Sequence, residues 1–165
     1  MSVRLQVSTD VDCDPGTAWT ELTDWAGQAR WIPLTTVSIV SDSVEGLGVR
    51  AEALSGWWLG RVPLGLLDRF VVTGWQAPKP GSPGELEVLH LGPYFTGEGA
   101  FRVEAVGDRT RITATEVFSL PGGRPVEALA RLALPVMRAG FQSSLRSLQR
   151  VCEASAGLGS AGGSR

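Results

Sequence analysis

"DCDPGTAWTELTDWAGQARWIP", residues 12–33, is the stretch on which the fold turns. Asp14 has a side chain suited to capping a helix, and Pro15 suits the first helical position, where a missing N–H costs nothing. A short helix is expected through Trp19 and Leu22, breaking near Thr23 and Asp24, and a second short helix ends at Pro33. Just upstream, "VRLQVSTDV" (3–11) sets Val3, Leu5, Val7, Thr9 and Val11 on one face and Arg4, Gln6, Ser8 and Asp10 on the other. That alternation is a half-buried strand.

Downstream, strand signals come in series at residues 36–41, 49–54, 69–75, 85–91, 96–106 and 111–120. "PKPGSPG" (78–84) is a loop, and "GDRT" (107–110) joins the last two strands as a hairpin, so the sheet is antiparallel. "PGGRP" (121–125) then opens a long helix. Val126, Leu129, Ala133, Val136, Gly140, Ser144, Leu148 and Val151 recur at helical spacing and suggest its apolar stripe; Pro135 should kink it. From Ala156 the chain is small and apolar-poor, which reads as a flexible tail (156–165) after a single domain (1–155). The expected fold is α+β: a curved antiparallel sheet of six to seven strands around a long C-terminal helix, with two short helices after strand 1. A bent sheet gripping a helix leaves a space between them where a ligand can sit.

The bulk properties narrow the partners. A net charge of −2 gives no basic field for nucleic acid or anionic lipid. Lys79 is the only lysine, and asparagine is absent, a bias of GC-rich genomes rather than of function. The N-terminus lacks the pattern of a secretory signal, and no apolar run is long enough to span a membrane. Cys13 and Cys152 lack metal spacing; free buried thiols are the reading taken, a disulfide the alternative. These features point to a cytoplasmic protein, monomeric or homodimeric, without stable membrane association.

The run 12–33 resembles the strand-to-helix-pair opening of the START-like, or SRPBCC, superfamily, with Trp19, a Leu-Thr-Asp at 22–24 and the Trp31-Ile-Pro33 that follows. "DRFVVTGWQAPKP" (68–80) is similar to the fourth strand of that superfamily, and "GDRTRITATEVFSLPGG" (107–123) to its last hairpin strand. The resemblance covers roughly residues 3 to 153 and is strongest to the bacterial polyketide cyclase/dehydrase branch. It implies a helix-grip fold with a deep hydrophobic cavity. Members bind lipids, sterols, polyketides, quinones or hormones, and some catalyse cyclisation or dehydration, so fold alone does not decide function.

Alternation assigns the inward face. Leu86, Val88 and His90 point in between outward Glu85 and Glu87. Phe95, Gly97, Gly99, Phe101 and Val103 follow, then Ile112, Ala114, Glu116 and Phe118. His90, the only histidine, and Glu116 thus land on an apolar face as acid/base or ligand-orienting candidates, with Tyr94 beside them in a turn. Taking "GDRT" as the hairpin end puts Phe101 opposite Glu116 and keeps His90 and Glu116 on the order of 15 Å apart. Gly97 and Gly99 read as curvature devices that also leave room. Asp68 and Arg69 read as a solvated pair at a strand start.

The remaining candidate lining comprises Trp31, Trp57, Phe70 and Trp75 from the first half, and Val136, Met137 and Phe141 from the helix. Trp57 and Trp58 sit in "GWWLGRVPLG" (56–65), read as the connection between the third and fourth strands, with Trp57 inward and Trp58 at the rim. Only Arg61 supplies nearby positive charge, which argues against a membrane foot. Arg124, Arg131 and Arg138 recur as a solvated stripe without the aromatic partners of a nucleic-acid surface.

There is no phosphate-cradling loop, no dinucleotide fingerprint and no nucleophile elbow, and a lone histidine makes no metal site. No cofactor or metal is therefore expected. The reading is a module binding a small hydrophobic or aromatic ligand, such as a lipid, polyketide or quinone-like molecule. The alternatives are a polyketide cyclase/dehydratase-like enzyme and a protein-interaction or regulatory module.

Overall fold

The computed structural model describes the backbone of residues 2–59, 62–119 and 123–162, and their side chains except at 57–59, 62–64, 123–127, 129–130 and 159–162. The order is β1 (Val3–Val11), α1 (Pro15–Thr23), a short 3₁₀ turn (Ala26–Arg30), β2 (Thr35–Ile39), β3 (Arg50–Leu59), β4 (Val62–Gln76), β5 (Gly84–Pro93), β6 (Thr96–Val106), β7 (Arg109–Ser119) and α2 (Gly123–Gly162). The strands form one antiparallel 7-stranded sheet in the order β1-β7-β6-β5-β4-β3-β2, curved around the long helix: a helix-grip fold.

The opening stretch folds for the reasons its residues suggest. Asp14 accepts a hydrogen bond from Thr17 N at 3.0 Å, and Pro15 occupies the first turn. Asp24 then accepts from Gly27 N at 3.0 Å and starts the 3₁₀ turn. Trp19, Leu22, Trp25 and Trp31 from this segment are buried against Leu86 and Val103 of the sheet. In β1, Val3, Leu5, Val7 and Val11 are buried while Arg4, Gln6 and Ser8 are on the more open face.

The strands are longer than residue patterns suggest. The segment 56–65 is not a free connection: β3 and β4 pair through it, with Trp57 opposite Leu64 and Trp58 opposite Pro63. The side chains of Trp57 and Trp58, and hence the inward and rim assignments, lie outside the described residues. β4 begins at Val62 rather than at residue 69, which brings Asp68 into its interior.

The helix also turns a different face to the sheet. Leu145, Leu148 and Cys152 are buried, Met137 and Phe141 are half-buried, and together they recur at steps of four and three. Val136 lies one position, about 100°, off this line and is 76% exposed, with Leu132 one turn earlier 79% exposed. Val136 therefore does not line the sheet side of the helix. The helix contains Pro135 and continues through residues 156–162, where composition suggests a flexible tail. Cys13 and Cys152 are free thiols, Cys13 half-buried just after β1 and Cys152 buried on α2. No helix among the described residues is long and apolar enough to cross a membrane.

Two substitutions separate the helix faces. Leu148→Ala should lower unfolding free energy by about 2–5 kcal/mol in urea titrations, while Val136→Ser should change it by less than about 0.5 kcal/mol. The reverse ranking would show that the helix is rotated.

Candidate functional site

Alternation along β5 turns Leu86, Val88 and His90 toward the helix, and each meets an inward partner on β6. His90 pairs with Gly97, and Val88 with Gly99. On β7 the inward residues are Ile112, Ala114, Glu116 and Phe118, and Gly99 pairs with Glu116. Two glycines thus lie close together on the inner face, between a histidine on one neighbouring strand and a glutamate on the other.

This register corrects the one read from "GDRT". The turn is made by Gly107 and Asp108 alone, with Gly107 at φ 64° and Val106 paired to Arg109. Phe101 therefore sits opposite Ala114, not opposite Glu116. A shift of two residues leaves every side chain on its own face but moves Glu116 two positions closer to His90. Strand spacings now put their Cα atoms on the order of 12 Å apart, and two long side chains converging over glycines close that gap. His90 Nε2 lies 3.2 Å from Glu116 Oε2. The expected separation of the two residues is thus overturned: they form a direct couple.

Asp68 completes the arrangement. The β4–β5 register shifts between Asp68 and Phe70, so that Phe70 pairs with His90 while Asp68 pairs with Pro93. This irregularity sets the Asp68 carboxylate Oδ2 2.8 Å from His90 Nδ1. The solvated Asp68–Arg69 pair does not form. Arg69 points to the opposite face and binds Glu52 at 2.9 Å, while the Asp68 side chain is only 15% exposed.

Both ring nitrogens of His90 therefore face carboxylates. Burial alone would push the imidazole down, but the hydrogen bonds and charges of Asp68 and Glu116 outweigh it and raise His90 to about 9. At neutral pH the ring is an imidazolium donating from both nitrogens. Asp68 keeps a second oxygen, Oδ1, that is fully buried without a hydrogen-bond partner among the described residues. A Cβ at Gly99 would stand 2.9 Å from Glu116 Oε1 and 3.0 Å from His90 Nε2, so the triad occupies the space that the missing side chain leaves.

Aromatic rings extend from the triad in both directions. His90 lies 5.1 Å from Phe95 and 6.3 Å from Phe70, centre to centre. Phe95 continues to Phe118 at 6.2 Å, and Phe70 to Trp25 at 5.5 Å. The triad sits at the end of the sheet where β3 turns into β4 and where β7 gives way to α2.

The family model described as polyketide cyclase / dehydrase and lipid transport matches residues 2–153. The chain belongs to this family. No curated protein matches it. Among solved structures, the protein TTHA0849 from Thermus thermophilus superposes with a TM-score of 0.71 at 16% identity, covering 93% of this chain and 99% of its own. The hypothetical protein jhp0584 from Helicobacter pylori gives 0.70 at 19%, covering 92% and 88%. The Zhui aromatase/cyclase from a Streptomyces species gives 0.65 at 18%, covering 93% and 94%. At these identities the likeness establishes the fold.

Within this member of the family, the structure gathers Phe70, His90, Phe95, Glu116 and Phe118 around one point, with Val88 beside Gly99. Met137 packs on the Val3–Phe118 cluster, and Phe101 and Phe141 pack on the main core. Trp75 instead stacks edge-on against Trp19 under α1, at 5.3 Å, and Trp31 is buried in the core. Tyr94 is half exposed in its turn. Asp68 and Trp25 are the residues here that sequence reasoning did not place at the site. Period-two spacing back from Val72 and Phe70 reaches Asp68, so the signal is present once β4 is extended. Two surface grooves lie elsewhere, one between Asp14–Gly16 and the 78–83 loop, the other on the outer face near Thr73 and Glu98.

As the sole histidine, His90 can be titrated by NMR without assignment. Its midpoint should fall near 9, and a midpoint at its ordinary 6.5 would show that the triad does not form. Because the folded value is raised, the stabilisation is complete below about pH 6.5 and is lost as pH climbs through 9, a decline of about 3 kcal/mol in urea unfolding. Gly99→Ala, by wedging a methyl group between the partners, should move the midpoint back toward 6.5.

Proposed function

We propose that the protein holds a small hydrophobic or aromatic molecule between the inner face of the sheet and the first half of α2, with its polar end at Asp68, His90 and Glu116. The single observation that carries this is the buried charged triad on an otherwise apolar, aromatic face. Buried ion groups are costly, and apolar side chains of similar volume would stabilise the same space as well or better. The family's description, which joins cyclase/dehydrase and lipid transport, is in keeping with a hydrophobic ligand. Lining is offered by Phe70, Val88, Phe95, Phe118 and Met137, and Trp57 is kept as a candidate at the hairpin end. A cytoplasmic location and a monomeric or homodimeric state belong to the same reading.

The triad also favours a second reading, a cyclase/dehydratase-like enzyme. His90 would give a proton to a departing hydroxyl, which leaves as water. Glu116 or Asp68 would take one from the neighbouring carbon.

Thermal shift and native mass spectrometry test the first reading. A ligand at about a hundredfold over its Kd should add about 2.7 kcal/mol and raise Tm by about 5 °C or more. Protein that emerges without bound molecules and gains nothing from a hydrophobic library would contradict it. For the second reading, Glu116→Gln should cut turnover of a β-hydroxyketone by about a hundredfold or more while leaving binding largely intact. Unchanged turnover would rule Glu116 out.

A further inference from the structure

We propose that the triad selects the ligand's polar end: the cavity takes a neutral aromatic molecule that presents a hydroxyl to Asp68, and shuts out molecules carrying a carboxylate. The inference rests on the cavity reading above and adds the chemistry of what is bound.

The donor count decides it. His90 is the only basic group in the triad, and both its ring nitrogens are already engaged, Nδ1 with Asp68 at 2.8 Å and Nε2 with Glu116 at 3.2 Å. No N–H of the ring is left to receive an incoming anion. What the triad itself still offers is an acceptor, Asp68 Oδ1, which is fully buried and lacks a partner among the described residues; the unpartnered indole N–H of Trp25 lies beyond the Phe70 ring. A buried carboxylate oxygen without a donor is costly, so a ligand hydroxyl seated there removes a penalty as well as adding a bond.

Charge points the same way. Two acidic side chains and one basic one meet here, in surroundings that screen charge poorly. The arginines with described ion pairs on the sheet are engaged elsewhere: Arg69 holds Glu52, Arg102 holds Glu85 and Glu104, and Arg111 holds Asp10. A carboxylate seated on the triad would meet other carboxyl groups and find no free donor among them, and an ammonium would have to shed its water inside an apolar wall. A hydroxyl does neither. The ring contacts of Phe70, Phe95 and Phe118 supply the aromatic preference for the rest of the molecule.

The test uses three probes that differ at one position: 2-naphthol, 2-methoxynaphthalene and 2-naphthoate, titrated into the full chain at pH 7 by calorimetry. The naphthol should bind about tenfold or more tighter than the methyl ether, the value of one hydrogen bond to a charged acceptor, and the naphthoate weakest of all. It should also shift the lone His90 resonance, which the ether should leave in place. Asp68→Asn should narrow the gap between naphthol and naphthoate. Should that variant fail to fold, Glu116→Gln and the wild-type ranking carry the decision. Equal binding of all three, or naphthoate binding as well as naphthol, would overturn the selection while leaving the cavity standing. Binding of none of them would overturn both.

Discussion

One imidazolium held between two carboxylates, over a pair of glycines, is the arrangement on which the inner end of this molecule depends. Each of its partners arrives by a different backbone device. The two-residue turn at Gly107–Asp108 sets the β6–β7 register that brings Glu116 opposite Gly99. The register shift in β4 delivers Asp68 to the other ring nitrogen. Gly99 keeps open the space in which the three side chains meet. Removing one partner of such a group typically costs about 3–5 kcal/mol, because the charge left behind is buried and unpaired. Exchanging the whole group for apolar residues need cost nothing. Stability therefore explains why the triad must be complete, but not why it is there.

The long helix divides the molecule into two regions of different character. Its second half, around Leu145, Leu148 and Cys152, is buried against β1 and α1, where Trp19, Trp25 and Trp75 fill the core. Its first half exposes Leu132 and Val136 and touches the sheet end through Leu134 and Met137, beside Phe118. The tightly packed end holds the sheet to the helix. That lets the other end keep glycines and charged groups on its inner face.

Most of the face assignments were legible because alternation is a local property. Each residue of β5 to β7 points in or out according to its parity, and a register error of two cannot change that. The same offset is enough to separate His90 from Glu116, since pairing depends on which residues make the turn. Asp68 escapes a local reading for a related reason: its strand starts seven residues earlier than the β-branched run suggests, in a segment interrupted by Pro63 and Gly65. The helix face was misread at Val136 because both Val136 and Met137 extend apolar repeats, and only contact with the sheet chooses between them.

The sequence by itself determined the element order, the capped helix after β1, the apolar and polar faces of the strands, and membership of a helix-grip family. All but the last follow from side-chain type and short-range spacing; the family rests on the resemblance of whole motifs. Tertiary structure alone decided the strand register, the inward face of the helix and the meeting of Asp68, His90 and Glu116. Those depend on how turns and bulges bring distant residues opposite one another, and no local pattern encodes a distance across strands.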